Sequence, residues 1–495
     1  MKQRVPLTLA AVTAALAAVT GLAALTAPAA GPAAAAPAGN AAARMPVERS
    51  LLVCPAPSTS DIAETLYTAL TPGAPAAGGK GSARLLGATK EAKPVLELKE
   101  PGKPVGAKAS GAEAPALIGS ADGFLAPGWS AQQTTVVSVG RTRGVLGVGC
   151  AAPGTDFWFP GVSTAKGRED YVHVTNPDDT AAVVDIKLFG PDGAVKAEAG
   201  TSENIRIDPK SSKAISLSSL APGAQLADVT AHVTTRAGRV GATAQAGEEG
   251  VGSDWLPASV DPAGTLVLPG IPADATSVRL VAFAPGEEDA DVKIRLAGPN
   301  GSISPAGNEQ LHVKAGMTAS ADLKDVTRGE PGSLVLSPAE GKKAVPVVAA
   351  VRIVRGGGAK QDIGFVPAAA PVGTRATVAD NRTEENATVL SLTAASEADA
   401  KVKVTASPGT DGGEAASQEV TVKAGTTQNL TLAPAGGKGA YALTVETLSG
   451  GPVHAARTLT LPRDGIPMFT VQTLSDDRST VSVPQATQDL SVLTD

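Results

Sequence analysis

The chain has 495 residues, with 42 Lys and Arg against 48 Asp and Glu, a net charge of −6 and only 3% aromatic side chains. That balance, without a basic stripe, excludes a nucleic-acid surface, which needs concentrated positive charge. The length exceeds one hydrophobic core, and the abundance of Val and Thr favours strands, so several small-cored β-domains are expected.

In chain order, Lys2 and Arg4 precede an apolar run from Val5 to about Leu25, followed by Ala27-Pro28-Ala29. This is the layout of an export signal; the run also reaches the roughly 20 residues that span a bilayer, so an uncleaved anchor helix stays open. Residues 1–44 are read as signal peptide or membrane anchor plus an Ala/Pro spacer.

Residues 45–155 read as an irregular β-domain, opened by VERSLLVCPAP and closed by TTVVSVGRTRGVLGVGCA. Cys54 and Cys150 are the 2 cysteines of the chain, and neither stands in a CxxC. An exported chain leaves the reducing cytosol. A disulfide between the first and last strands is therefore expected, contributing about 4 kcal/mol by restricting the unfolded chain. Residues 71–115, rich in Ala, Gly, Pro and Lys, read as a mobile excursion with solvated lysines.

The remainder is repetitive. GPDG at 190–193 returns as GPNG at 298–301 and, more loosely, as SPGTDG at 407–412. The runs AAVVDIKLFGP, ADVKIRLAGP and DAKVKVTASPG precede them, each behind an acidic turn; NIRIDPKSSKAISL, LHVKAGMTASADL and VTVKAGTTQNLTL follow as strand, turn, strand. Three copies of about seven short strands predict tandem β-sandwiches of immunoglobulin or fibronectin type, at 156–263, 264–364 and 365–463, with a tail over 464–495. Asp178, Asp179, Asp185 and Asp192 then read as turn punctuation. A weak Ca²⁺ site at Asp178, Asp179 and Asp192 is the rival, without the DxDxDG spacing that would support it.

Asp156, Asp254, Asp362 and Asp464 recur between copies and read as interdomain joints, with Trp158 and Trp255 capping a neighbour's core. The functional rival is an aromatic platform for sugar, for which Trp129, Trp158 and Trp255 are the surface-binding candidates. His173, His232, His312 and His454 lack a second His at ligand spacing, and GxSxG, SxxK and HExxH are missing. No metal site, cofactor or enzymatic activity is expected.

The stretch CAAPGTDFWFPGVSTAKGREDYVHVTNPDDTAAVVDIKLFGPDG, with LPGIPADATSVRLVAFAPGEEDADVKIRLAGPNG and VPQATQDLSVL, resembles a family of exported proteins of high-GC Gram-positive bacteria known as a domain of unknown function. The resemblance implies location and architecture over nearly everything after residue 45, and no mechanism. A non-enzymatic envelope protein is thus expected, secreted or held at the outer face of the cytoplasmic membrane or cell wall. It would be a row of sandwiches acting as scaffold or spacer for envelope proteins, with membrane contact only through the N-terminal segment. The alternative is a protein that binds carbohydrate or peptidoglycan, with cell-wall polysaccharide as its partner.

Overall fold

The computed structural model describes residues 43–73, 79–141 and 143–483. The signal or anchor segment up to residue 42 and the end of the tail, 484–495, lie outside the described residues. Strands make up 57% and helix 2% of the structure, so the chain is all-β, as its composition requires. Among the described residues no helix is long and apolar enough to cross a membrane. Two compact units are distinguished: Pro46–Ser479, and a small one in which the strands Ala43–Pro46 and Thr480–Val483 pair.

Within Pro46–Ser479 one strand order occurs four times. The first occurrence comprises Arg49–Cys54, Glu64–Leu70, Ala83–Gly87, Pro94–Leu98, Val105–Ser110, Leu117–Asp122, Ser130–Val137 and Gly144–Gly149. One antiparallel sheet runs first, sixth, third, fourth; the other runs fifth, second, seventh, eighth. The same order returns over 156–256, 266–367 and 375–474, with the fourth strand broken in two in the second and third occurrences. Each pair of sheets encloses its own apolar core.

Period-two alternation sets the faces. In Arg168–Asn176, Val172 and Val174 enter the second core, while Glu169, Tyr171 and His173 point to the outer face. The GPDG and GPNG turns are two-residue hairpins: Gly190 pairs with Gly193 and Gly298 with Gly301. The closing glycines have φ of 103° and 134°, which a side chain resists.

Several expectations need correction. The first segment is not irregular but a fourth copy, and residues 71–115 contain its third, fourth and fifth strands. The third and fourth, ARLLG and PVLEL, are only five residues long, and the fifth, VGAKAS, is low in apolar content, its side chains alternating between half-buried and exposed. Each copy has eight strands rather than seven. The missed strand closes the copy, so Lys360–Pro367 runs across the expected boundary at 364 and Phe469–Leu474 belongs to the last sandwich rather than to a tail.

These closing strands also join the sandwiches. Trp255, in the second closing strand, packs on Val137, Leu146 and Val148 of the first sandwich. Ile363 and Phe365 enter the core of the second sandwich, Phe469 and Val471 that of the third, and Met468 meets Val145 of the first. A row would leave first and last sandwiches apart; here they touch, and Ser130 Oγ donates to the Thr377 carbonyl at 3.2 Å. The four sandwiches form a closed ring.

Candidate functional site

The disulfide is formed as expected: Cys54 ends the first strand, Cys150 follows the eighth, and their Cα atoms lie 4.5 Å apart. It ties the two sheets of the first sandwich to each other, beside the bridge between Val53 and Ala151.

The three tryptophans do not form a platform. Trp129, Trp158 and Trp255 are only 3%, 8% and 0% exposed, leaving no open ring face to stack on a sugar. Trp129 fills the first core. Trp158 stacks on His232 with centroids 3.5 Å apart and planes 7° apart, and packs on Phe283 of the next sandwich. The carboxylates Asp178, Asp179, Asp185 and Asp192 also disperse. Asp178 accepts two bonds from Arg239 at 3.1 Å, Asp179 faces Lys210 at 3.5 Å, Asp185 binds Arg236 and the Asn204 amide, and Asp192 occupies an exposed turn.

Of the four recurrent aspartates, two are buried at the ring centre. Asp254 Oδ1 accepts from the Trp255 amide at 2.8 Å, the Gly147 amide at 3.1 Å and the Thr470 hydroxyl at 3.1 Å, so one carboxylate holds the second, first and fourth sandwiches. Asp362 Oδ2 accepts from the Phe469 amide at 2.8 Å, holding the third to the fourth. Burial pushes the Asp254 carboxyl well above the usual range and that of Asp362 up to about 8, against the hydrogen bonds each accepts. Arg457, fully buried, is pulled down to about 10 by burial and supported by the charges of Asp380 and Asp254. Asp156 instead pairs with His232 at the surface, and Asp464 lies in an exposed turn.

Each joint brings the outer face of one second sheet against the preceding sandwich, and the joints differ in how well they close. Between second and third, Trp158, the Arg279–Asp228 pair and the Arg352–Glu248 pair pack together, beside an open cleft of about 470 Å³ lined by Leu226, Asp228, His312 and Lys314. Between third and fourth, the hydroxyls of Ser333, Thr393 and Thr427 interlock at 2.7 to 3.2 Å. Between first and second, contact is made at Val53 against Gly241 and again at Trp255. A cavity of about 320 Å³ remains there.

Tyr171, His173, Gln245 and Gly247 of the second sandwich line that cavity, with Thr59 and Arg141 of the first across from them. Arg141 bridges Glu169 at 3.0 Å and Glu249 at 2.9 Å. His173 Nε2 lies 3.2 Å from Gln245 Oε1, and the imidazole meets Trp255 edge-on at 4.9 Å. Burial lowers the His173 pKa to about 4, so the ring is neutral at pH 7. Sequence reasoning placed His173 on a strand but missed this convergence. The alternation of Glu169, Tyr171 and His173 along one face was the available signal.

A wider cleft of about 1030 Å³ separates the first and fourth sandwiches. Its walls mix Glu64, Lys108, Arg382, Glu384 and Asp411 without an aromatic ring. The smaller cavity is the better candidate, because an aromatic face, an amide and an imidazole converge in it.

A family model described as a family of unknown function (DUF5719) matches residues 105–433, from the fifth strand of the first sandwich into the fourth. No curated protein matches the chain.

Proposed function

The chain belongs to that family of unknown function, whose description carries no activity to transfer, and we propose from its own architecture that it is a non-enzymatic exported scaffold of the cell envelope in high-GC Gram-positive bacteria. The units are read as immunoglobulin-like sandwiches that present loops to envelope proteins from a fixed frame. One observation carries this reading: four copies of one strand order lock together through their closing strands. Two fully buried carboxylates, Asp254 and Asp362, act at those contacts. Side chains placed in this way hold parts of a protein in position. The Cys54–Cys150 disulfide fits a chain that works outside the reducing cytosol. The carbohydrate-binding alternative loses the three tryptophans on which it was first based.

The test is fractionation of cells carrying a tagged chain, with cross-linking in intact cells and a thiol-state assay. An envelope location, oxidised cysteines and discrete protein adducts support the proposal. A cytosolic chain with Cys54 and Cys150 reduced overturns it.

A further inference from the structure

We infer that the cavity between the first and second sandwiches is a binding site for a neutral sugar unit. This goes beyond the scaffold reading and does not depend on it. The clefts at the second–third and first–fourth joints, of about 470 and 1030 Å³, are lined without a Tyr, Trp or Phe ring, whereas this joint leaves Tyr171 and Gln245 beside open space enclosed by two sandwiches. The volume of about 320 Å³ lies at the lower end of the range for small-molecule sites.

The lining selects against a charged ligand. Arg141 is neutralised by Glu169 and Glu249, and Arg168 by Asp170 at 2.8 Å, so every full charge at the wall already has a partner. What remains is chemistry for hydroxyl groups. A neutral imidazole with Nε2 against Gln245 Oε1 donates that hydrogen, which leaves the Gln245 amide hydrogens as donors. Thr59 adds a hydroxyl, and the carboxylates held by Arg141 retain free lone pairs as acceptors. Tyr171 supplies the apolar ring against which the C–H face of a pyranose packs, with its phenol able to donate or accept.

The floor is fixed before any ligand arrives. Tyr171, Gln245 and Trp255 stand in register across three paired strands, and Trp255 is fully buried behind His173. Little ordering cost is then left to binding.

The experiment is saturation-transfer NMR on the full chain with glucose, mannose, N-acetylglucosamine and cellobiose as probes, and inorganic phosphate as the anionic control. At least one sugar should bind and phosphate should not. Gly247→Val is the decisive variant. A Cβ there would lie 3.5 Å from the Glu169 carbonyl and 3.6 Å from Ser253 Cβ, ordinary contacts, and the γ-methyls beyond it would enter the space that Gly247 lines. It should abolish the signal with unchanged thermal unfolding, and Tyr171→Ala should weaken binding roughly tenfold or more. Should Tyr171→Ala unfold, Gln245→Ala serves in its place. Binding by phosphate instead of sugar, no binding by any of the four sugars, or sugar binding that survives Gly247→Val would each overturn the assignment.

Discussion

Two strand glycines, Gly147 and Gly247, should respond in opposite ways to the same methyl group. A Cβ on Gly147 would stand 2.5 Å from Thr470 Cγ2, 2.7 Å from Gln472 Nε2 and 2.8 Å from Thr470 Oγ1, where the first and fourth sandwiches meet. Carbon atoms rest about 3.5 to 4.0 Å apart, so the closing strands must separate by about 1 Å. Overpacking of this kind costs about 1–3 kcal/mol. The same movement draws the Gly147 amide and the Thr470 hydroxyl away from Asp254 Oδ1, adding about 1–3 kcal/mol for a buried group left unpaired. Gly147→Ala should therefore lose roughly 2–5 kcal/mol. Gly247→Ala meets only ordinary contacts and should fall within about 0.5 kcal/mol of the parent, or gain slightly from the stiffer unfolded chain. Urea midpoints measured side by side decide the matter. If the two variants unfold together, the ring closure described here is wrong.

Further outcomes follow from other joints. Asp362 has a folded pKa of about 8 against roughly 3.9 when unfolded, so its contribution is fully present below pH 4 and is lost as pH rises through 8. Asp170, near 6, acts in the same direction at lower pH, while His173, near 4, acts in the opposite one and has finished by about pH 6.5. Asp254, raised by burial, also acts in this direction, so between pH 6.5 and 8 stability should fall, and Asp362→Asn should remove about 2 kcal/mol of that fall in urea titrations. Replacing both cysteines by Ala opens a loop spanning 96 residues and should cost about 4.7 kcal/mol, read as a lower urea midpoint. Trp158→Ala should cost about 3–5 kcal/mol by calorimetry without altering sugar binding, because that ring packs a different joint.

The repeats were readable because turn chemistry is local. Gly193 and Gly301 are required by the backbone of a two-residue hairpin, and the acidic turns serve one structural end twice: Asp289 accepts the Ala315 amide and Asp399 the Ala424 amide, at 2.9 and 2.8 Å. The fourth copy escaped because its third, fourth and fifth strands, ARLLG, PVLEL and VGAKAS, are short, hold only two β-branched residues between them, and have no GPDG turn. The closing strands escaped for another reason. Asp254 and Asp362 look like breakers in sequence, and they become strand residues only because neighbouring sandwiches supply donors to their carboxylates. Trp158 and Trp255 were legible as joint-fillers from their positions beside Asp156 and Asp254. The cavity was not, since Tyr171 and Arg141 belong to different sandwiches and meet only through the ring.

The contact of first with last sandwich also bears on the order of folding. Ser130 and Thr377 are separated by 247 positions, and Asp254 and Thr470 by 216. Loops of that length close late, so each sandwich forms from its own local pairings well before the final junction. A chain emerging from its N-terminus would hold the outer face of its first second sheet uncovered, Leu70 among it, until Ala379 and Ala442 arrive. Until then that face is an open site for mispairing with another chain. Refolding at rising concentration should divert material to dimers, whereas a fragment ending at residue 367 should do so at any stage, because its covering partner never comes.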